Sequence, residues 1–247
     1  EREEFRLAFQ PQVDLTSGRI FGAEALLRWH HNGVNIPPAE FIPVAEEMGI
    51  IVNIGYWTLR KCCQTLSNWL QMGLKLEKIS VNVSVSQCRD ANFHENVLKI
   101  IAESQLDPQK VMLEITEGVL MEDKERMKDL FKRFNAAGIG IAIDDFGTGY
   151  SSLAYLKDFP IDVLKIDKSF IDNLESEERN QAIVRGIARL GEILDMAIIA
   201  EGVEKKEQLR ILRDLGVRLI QGYIFSPPLF EEEFYELCTS HTLTLPL

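Results

Sequence analysis

After residue 50 the chain alternates between stretches that read as helices and short apolar runs that read as strands. This alternation constrains the fold more than any other feature. Strands are expected at Lys78 to Ser84, Val111 to Thr116, Ile139 to Ile143, Val163 to Ile166, Ala197 to Ala200 and Val217 to Ile220. Helices are expected at about Ile51 to Met72, Phe93 to Ser104, Lys124 to Ala137, Glu177 to Leu194 and Lys205 to Leu215, with a last one starting near Glu231. The Lys124 helix stops at Gly138, a residue suited to a helix C-terminus. Such a pattern implies a parallel sheet covered on both faces. Ahead of it, Phe5 to Asp14 and Arg19 to Trp29 read as strands joined by Leu15-Thr16-Ser17-Gly18. That connection is too short for a parallel crossover, so these two strands are antiparallel. Eight strands suggest a TIM-like (β/α)8 barrel with its first strand reversed; a doubly wound open sheet is the alternative on pattern alone. A barrel takes about 250 residues, and the chain has 247, so one domain over residues 1–247 is expected, cut from a longer protein because the chain starts at Glu1.

Composition excludes several classes. No apolar run approaches the ~18 residues of a membrane span, and the charged start Glu1-Arg2-Glu3-Glu4 is no signal peptide. A net charge of −11 argues against a broad surface for DNA or RNA, which needs a basic stripe. Cys62, Cys63, Cys88 and Cys238 form no CxxC pair, and the four histidines show no zinc-type spacing. The cysteines read as reduced thiols in or near the core of a cytoplasmic domain. Any bound metal would take oxygen ligands.

Polar residues fall at particular places, mostly the C-terminal ends of apolar strands: Glu24, Asn82, Glu114, Asp144-Asp145, Lys165, Glu201 and Gln221. In a barrel they would converge on one mouth, where such proteins keep their active sites. Clustered carboxylates repel, and an unpaired buried charge costs several kcal/mol. Lys165 is one positive charge against Glu24, Glu114, Asp144, Asp145 and Glu201. Divalent cations would balance the cluster, and oxygen ligands favour Mg²⁺ or Mn²⁺. Two ions roughly 3.5–4 Å apart suit in-line attack on a phosphodiester.

Seven ordered motifs then resemble one family, the EAL-domain cyclic di-GMP phosphodiesterases. They are Glu24-Ala25-Leu26 with Leu27-Arg28-Trp29, Ser80-Val81-Asn82-Val83-Ser84, Leu113-Glu114-Ile115-Thr116-Glu117, Asp144 to Ser152, Leu164-Lys165-Ile166-Asp167, Ala200-Glu201-Gly202-Val203-Glu204 and Gln221-Gly222-Tyr223. The resemblance implies hydrolysis of cyclic di-GMP to the linear dinucleotide pGpG. It implies that Glu24, Asn82, Glu114 and Asp144 hold one metal, and that Asp144, Asp145 and Glu201 hold the second. Lys165 would sit beside the attacking water and Gln221 would assist. Arg28, Leu27 and Gln10 would contact substrate. Ca²⁺ is expected to support binding rather than turnover. A homodimer, a sensor or GGDEF-type domain upstream and a possible membrane anchor on the parent protein are the implied context.

The segment Asp145 to Leu156 has a plain reading as a tight strand-to-helix turn. The resemblance makes it a loop coupling the metal site to a dimer interface through Phe146, Gly147 and Gly149, anchored by Glu117, with Glu204 supporting it. A dinucleotide-binding reading fails because Ser152 stands where the third glycine belongs. Asp145-Phe146-Gly147 matches a kinase magnesium motif, but no kinase catalytic loop accompanies it. Two other readings stay open at this level: a cyclic di-GMP receptor that does not hydrolyse, and a magnesium-dependent proton-abstracting enzyme with Lys165 as base.

Overall fold

A computed structural model describes residues 4–121, 123–148 and 156–240. Ten strands form one sheet, and eight of them close it. Strand β1 (Phe5–Asp14) pairs antiparallel with β2 (Arg19–His31) on one side and with β9 (Leu219–Gln221) on the other. From β2 the order runs through β4 (Lys78–Val83), β5 (Val111–Thr116), β6 (Gly140–Phe146), β7 (Val163–Ile166) and β8 (Ala197–Ala200) to β9, parallel throughout. Closure through β1 removes the free edges that a doubly wound sheet would keep. The short strands β3 (Val34–Ile36) and β10 (Leu229–Phe230) add to β2 and β1 outside the ring.

Helices α2 (Ile51–Gln71), α4 (Phe93–Glu103), α5 (Lys124–Ala136), α7 (Glu178–Leu194), α8 (Lys206–Asp214) and α9 (Glu231–Thr239) surround the barrel, close to the expected bounds. Three short helices were not anticipated: α1 (Pro38–Glu47), α3 (Val85–Arg89) and α6 (Lys168–Ile171). Helix α1 hides behind Pro37, Pro38 and Pro43, which read as loop. Pro38 occupies the first turn, where no N–H is needed, and Pro43 sacrifices one hydrogen bond. Helix α3 is only five residues but has a full capping box, with Ser84 and Gln87 exchanging hydrogen bonds at its start.

The main core lies between barrel and helices. Trp69 on α2 is stacked on Phe234 of α9 at 5.0 Å and meets the edge of Phe9 on β1 at 4.8 Å. These contacts tie the first strand, the second helix and the last helix together. A second, smaller cluster of Met112, Ala142, Val163 and Ile199 forms the floor of the barrel. Above that floor the interior turns polar, which is where the functional groups gather.

Candidate active site

Lys165, on β7, is fully buried in the barrel. Its Nζ lies 2.6 Å from Glu201 Oε1, 2.7 Å from Glu114 Oε2, 3.1 Å from Asp144 Oδ1 and 3.2 Å from Glu24 Oε2. Strands β2, β5 and β6 and the residue just past β8 supply these carboxylates, which reach inward because alternate residues of a barrel strand face the axis. The register staggers them by two residues from step to step, with Glu24 paired to Ser80, Glu114 to Asn82 and Asp144 to Thr116, as the tilt of barrel strands requires. An ammonium group has three hydrogens, so it cannot serve four carboxylates at once.

The electrostatics follow from that shortage. Four carboxylates around one cation leave a formal charge of −3 in a space largely closed to water. Burial and the negative Glu24 drive the Glu114 carboxyl well above its ordinary range. Burial, opposed by Lys165 and reinforced by Asp144 and Glu24, pushes Glu201 up to about 8. Burial and Asp144 push Asp145 up to about 6. Glu24 goes the other way. Burial raises it, but the Lys165 charge and hydrogen bonds from Gln221 and Asn82 outweigh that and hold it low. Burial opposes the charge on Lys165, yet Glu114, Glu201 and Glu24 overcome it and fix the side chain as an ammonium.

Glu24 is gripped from two sides. Its Oε2 accepts from Gln221 Nε2 at 2.5 Å and its Oε1 from Asn82 Nδ2 at 2.7 Å. Gln10 faces Glu24 across the β1–β2 pair and accepts from Gln221 Nε2 at 3.3 Å. Glu114 Oε1 is buried with no hydrogen-bond partner. Such an orphaned carboxylate oxygen suits a cation ligand, so the residues fit divalent metal. Oxygens of Glu24, Glu114 and Asp144 lie within 4.8 Å of one another, and so do oxygens of Asp144, Asp145 and Glu201. Asp144 belongs to both groups.

Adjacent strand residues normally point to opposite faces. Asp145 escapes this because its backbone is left-handed, with φ of 54°, a conformation that aspartate tolerates better than most residues. Its register with β7 is irregular there as well. One strand end thus presents two neighbouring carboxylates to one centre.

The remaining expected residues spread around the rim. Arg28 is half-buried near the end of β2 and donates from Nη1 to the Leu27 carbonyl at 2.9 Å. Glu117 is buried, and its Oε2 accepts from the Gly147 N–H at 3.2 Å. Gly147 has φ of 97°, and a Cβ there would come within 2.9 Å of the Phe170 ring. Phe146 is buried. Exposed Glu204 is ion-paired with Lys168 at 2.6 Å. Gly149 and most of the segment 145–156 lie outside the described residues. Gln12 was not anticipated from sequence: it donates from Nε2 to Gln221 Oε1 at 2.9 Å.

The fold and site define an α/β-barrel protein with a carboxylate centre suited to divalent cations. The EAL domain profile matches residues 1–228, and the chain belongs to the EAL domain family. Among its relatives, the bifunctional diguanylate cyclase/cyclic di-GMP phosphodiesterase MucR of Pseudomonas aeruginosa is 40% identical over 235 residues, covering 94% of this chain and 34% of that protein. The oxygen sensor protein DosP of Escherichia coli is 39% identical over 235 residues, covering 93% of this chain and 29% of that protein. The chain thus spans about a third of the length of the curated relatives it matches. Among solved structures, the MucR phosphodiesterase in complex with c-di-GMP superposes with a TM-score of 0.91 at 40% identity, covering 94% of this chain and 95% of that one. The calcium/c-di-GMP complex of Klebsiella pneumoniae BlrP1 gives a TM-score of 0.82 at 28% identity, covering 93% of this chain and 57% of that one.

Proposed function

We propose that this chain hydrolyses cyclic di-GMP to linear pGpG with the help of two divalent cations, Mg²⁺ or Mn²⁺. The observation that carries this reading is Asp144, whose carboxylate belongs to two overlapping ligand groups above the buried Lys165. Glu24, Asn82, Glu114 and Asp144 would hold one cation; Asp144, Asp145 and Glu201 would hold the other. Cations so placed supply an activated water and charge stabilisation for a phosphodiester displacement. The water oxygen bonds to phosphorus, the bond to the 3′ oxygen breaks, and that oxygen leaves with a proton, giving a 5′-phosphate and a 3′-hydroxyl.

The chain's own side chains do the rest. Lys165 sits among the four carboxylates, where it would donate a hydrogen bond to the attacking water once cations take those carboxylates as ligands. Arg28 offers a guanidinium to a substrate phosphate, and Leu27 and Gln10 line the approach. Gln221 assists by holding Glu24. The Glu117 to Gly147 hydrogen bond supports a loop that links the site to a homodimer interface.

The relatives' greater length supports a parent protein with a sensor or GGDEF-type domain. Among the described residues no helix is long and apolar enough to cross a membrane. Free thiols at Cys62, Cys63, Cys88 and Cys238 support a cytoplasmic setting for the domain.

The test is incubation of the purified domain with cyclic di-GMP and Mn²⁺, with products separated by chromatography. Linear pGpG that disappears with chelator is the expected result. Tight binding without product would instead make the domain a receptor.

A further inference from the structure

Gln12 sits one layer below the carboxylates, at a point where β1 is specially built. It lies opposite Gly22 on β2 and opposite Gln221 on β9, and the β1–β2 register shifts between Gln12 and Val13. Such an irregularity re-aims a side chain. Gln12 is 1% exposed and turns its amide into the barrel. The space for that amide comes from Gly22: a Cβ at residue 22 would stand 2.8 Å from Gln12 Oε1.

The direction of each hydrogen bond follows from chemistry alone. The Glu24 carboxylate only accepts, so the Gln221 end facing it must be the NH₂. Both hydrogens of that NH₂ are used, toward Glu24 Oε2 at 2.5 Å and Gln10 Oε1 at 3.3 Å. The carbonyl end then faces Gln12, which donates to it at 2.9 Å. A Gln221 amide turned over would set its oxygen against the Glu24 carboxylate and its NH₂ against the NH₂ of Gln12. Glu24 and the Gln12 amide thus favour the same one of two Gln221 orientations.

We propose that Gln12, seated by Gly22, is a positioning residue of the metal centre: it locks Gln221 in the orientation that donates to Glu24, and so holds Glu24 ready to ligate. The proposal rests on Glu24 being a metal ligand, as in the function proposed above. Groups that orient a ligand from behind typically change metal affinity by about 10- to 100-fold.

The experiment is calorimetric titration of Mn²⁺ into metal-free protein, with melting curves to verify folding. Wild type and Glu24→Gln come first: tight binding by one and its loss in the other secure the ligand role. If wild type takes no Mn²⁺, the proposed function fails and this proposal with it. Gln12→Met keeps the size and removes the donor, and is expected to weaken Mn²⁺ binding about 10-fold. Gly22→Ala removes no hydrogen-bonding group; its Cβ would crowd the Gln12 amide at 2.8 Å more than the Lys78 carbonyl at 3.2 Å, and it should weaken binding in the same direction. Because both act through one contact, the double variant should bind no more than about twofold worse than Gln12→Met, a non-additivity expected of residues in one network. A role confined to packing would lower the melting temperature and leave the Mn²⁺ affinity of the folded protein untouched. Unchanged affinity in Gln12→Met and Gly22→Ala, or multiplied losses in the double variant, overturns the proposal.

Discussion

Lys165 Nζ meets Glu114 Oε2 at 2.7 Å with both side chains sealed inside the barrel. Removing the Lys165 ammonium leaves the charged carboxylates around it, Glu24 above all, without their buried counter-charge. Lys165→Met should therefore destabilise metal-free protein by roughly 3–5 kcal/mol and lower kcat by about 10²- to 10³-fold, the usual effect of removing one stabilising donor. Substrate affinity should change far less. Steady-state kinetics beside direct binding of cyclic di-GMP separates the two; an equal fall in both would mean that Lys165 acts in ground-state binding.

Asp144 and Asp145 differ in how many ligand groups they join. Asp145→Asn should reduce Mn²⁺ stoichiometry from two to one, whereas Asp144→Asn should damage both positions. Glu24→Ala and Asp144→Asn should each abolish turnover with the fold retained. Electron paramagnetic resonance of residual free Mn²⁺ counts the bound ions. Identical stoichiometry in the two asparagine variants would contradict the shared role of Asp144.

Stability should depend on pH with a sign set by Glu201. Its carboxyl, pushed from 4.5 up to about 8 in the fold, keeps a proton that the unfolded chain has lost. That contribution is fully present below pH 4.5 and is lost as pH rises through about 8. Asp145, raised from 3.8 to about 6, acts in the same direction over its own window. Metal-free protein should melt at progressively lower temperature across this range. Stabilisation by Mn²⁺ should grow with pH, because ligation releases those protons. Thermal melts with and without chelator decide it; a metal-free melting temperature that climbs toward pH 8 is the contrary outcome.

Chelation should stop hydrolysis, and Mg²⁺ or Mn²⁺ should restore it. Ca²⁺ should support cyclic di-GMP binding with little turnover, since its looser geometry tolerates poorly aligned ligands. Parallel binding and product assays check this, and Ca²⁺ turnover equal to that with Mn²⁺ would count against a geometrically strict centre.

Much of this centre was legible in the sequence because parallel strands deliver polar groups at their C-terminal ends, where an interruption in an apolar run is conspicuous. Glu114, Lys165 and Glu201 could be found that way, and the hairpin connection 15–18 was enough to reverse the first strand. Gln12 was hidden by that same reversal. It lies within a strand running the other way, where Gln10 and Gln12 look like an ordinary alternation. Helix α1 was hidden by three prolines whose positions are harmless only once the helix start is known. The doubling of carboxylates at Asp144-Asp145 was visible as composition, but the left-handed turn that brings both to one centre was not, because a short-range pattern does not reveal φ.

That turn has a consequence for counting. A barrel strand contributes inward side chains at every second residue, so its end would ordinarily supply one ligand. At Asp145 the backbone handedness cancels the parity of the strand, and β6 supplies two. In the proposed two-cation centre the second position would then depend on one dihedral angle as much as on the number of strands. It also makes charge and geometry separable at this position: asparagine, which shares aspartate's tolerance of the left-handed region, can keep the bend while emptying it of its charge.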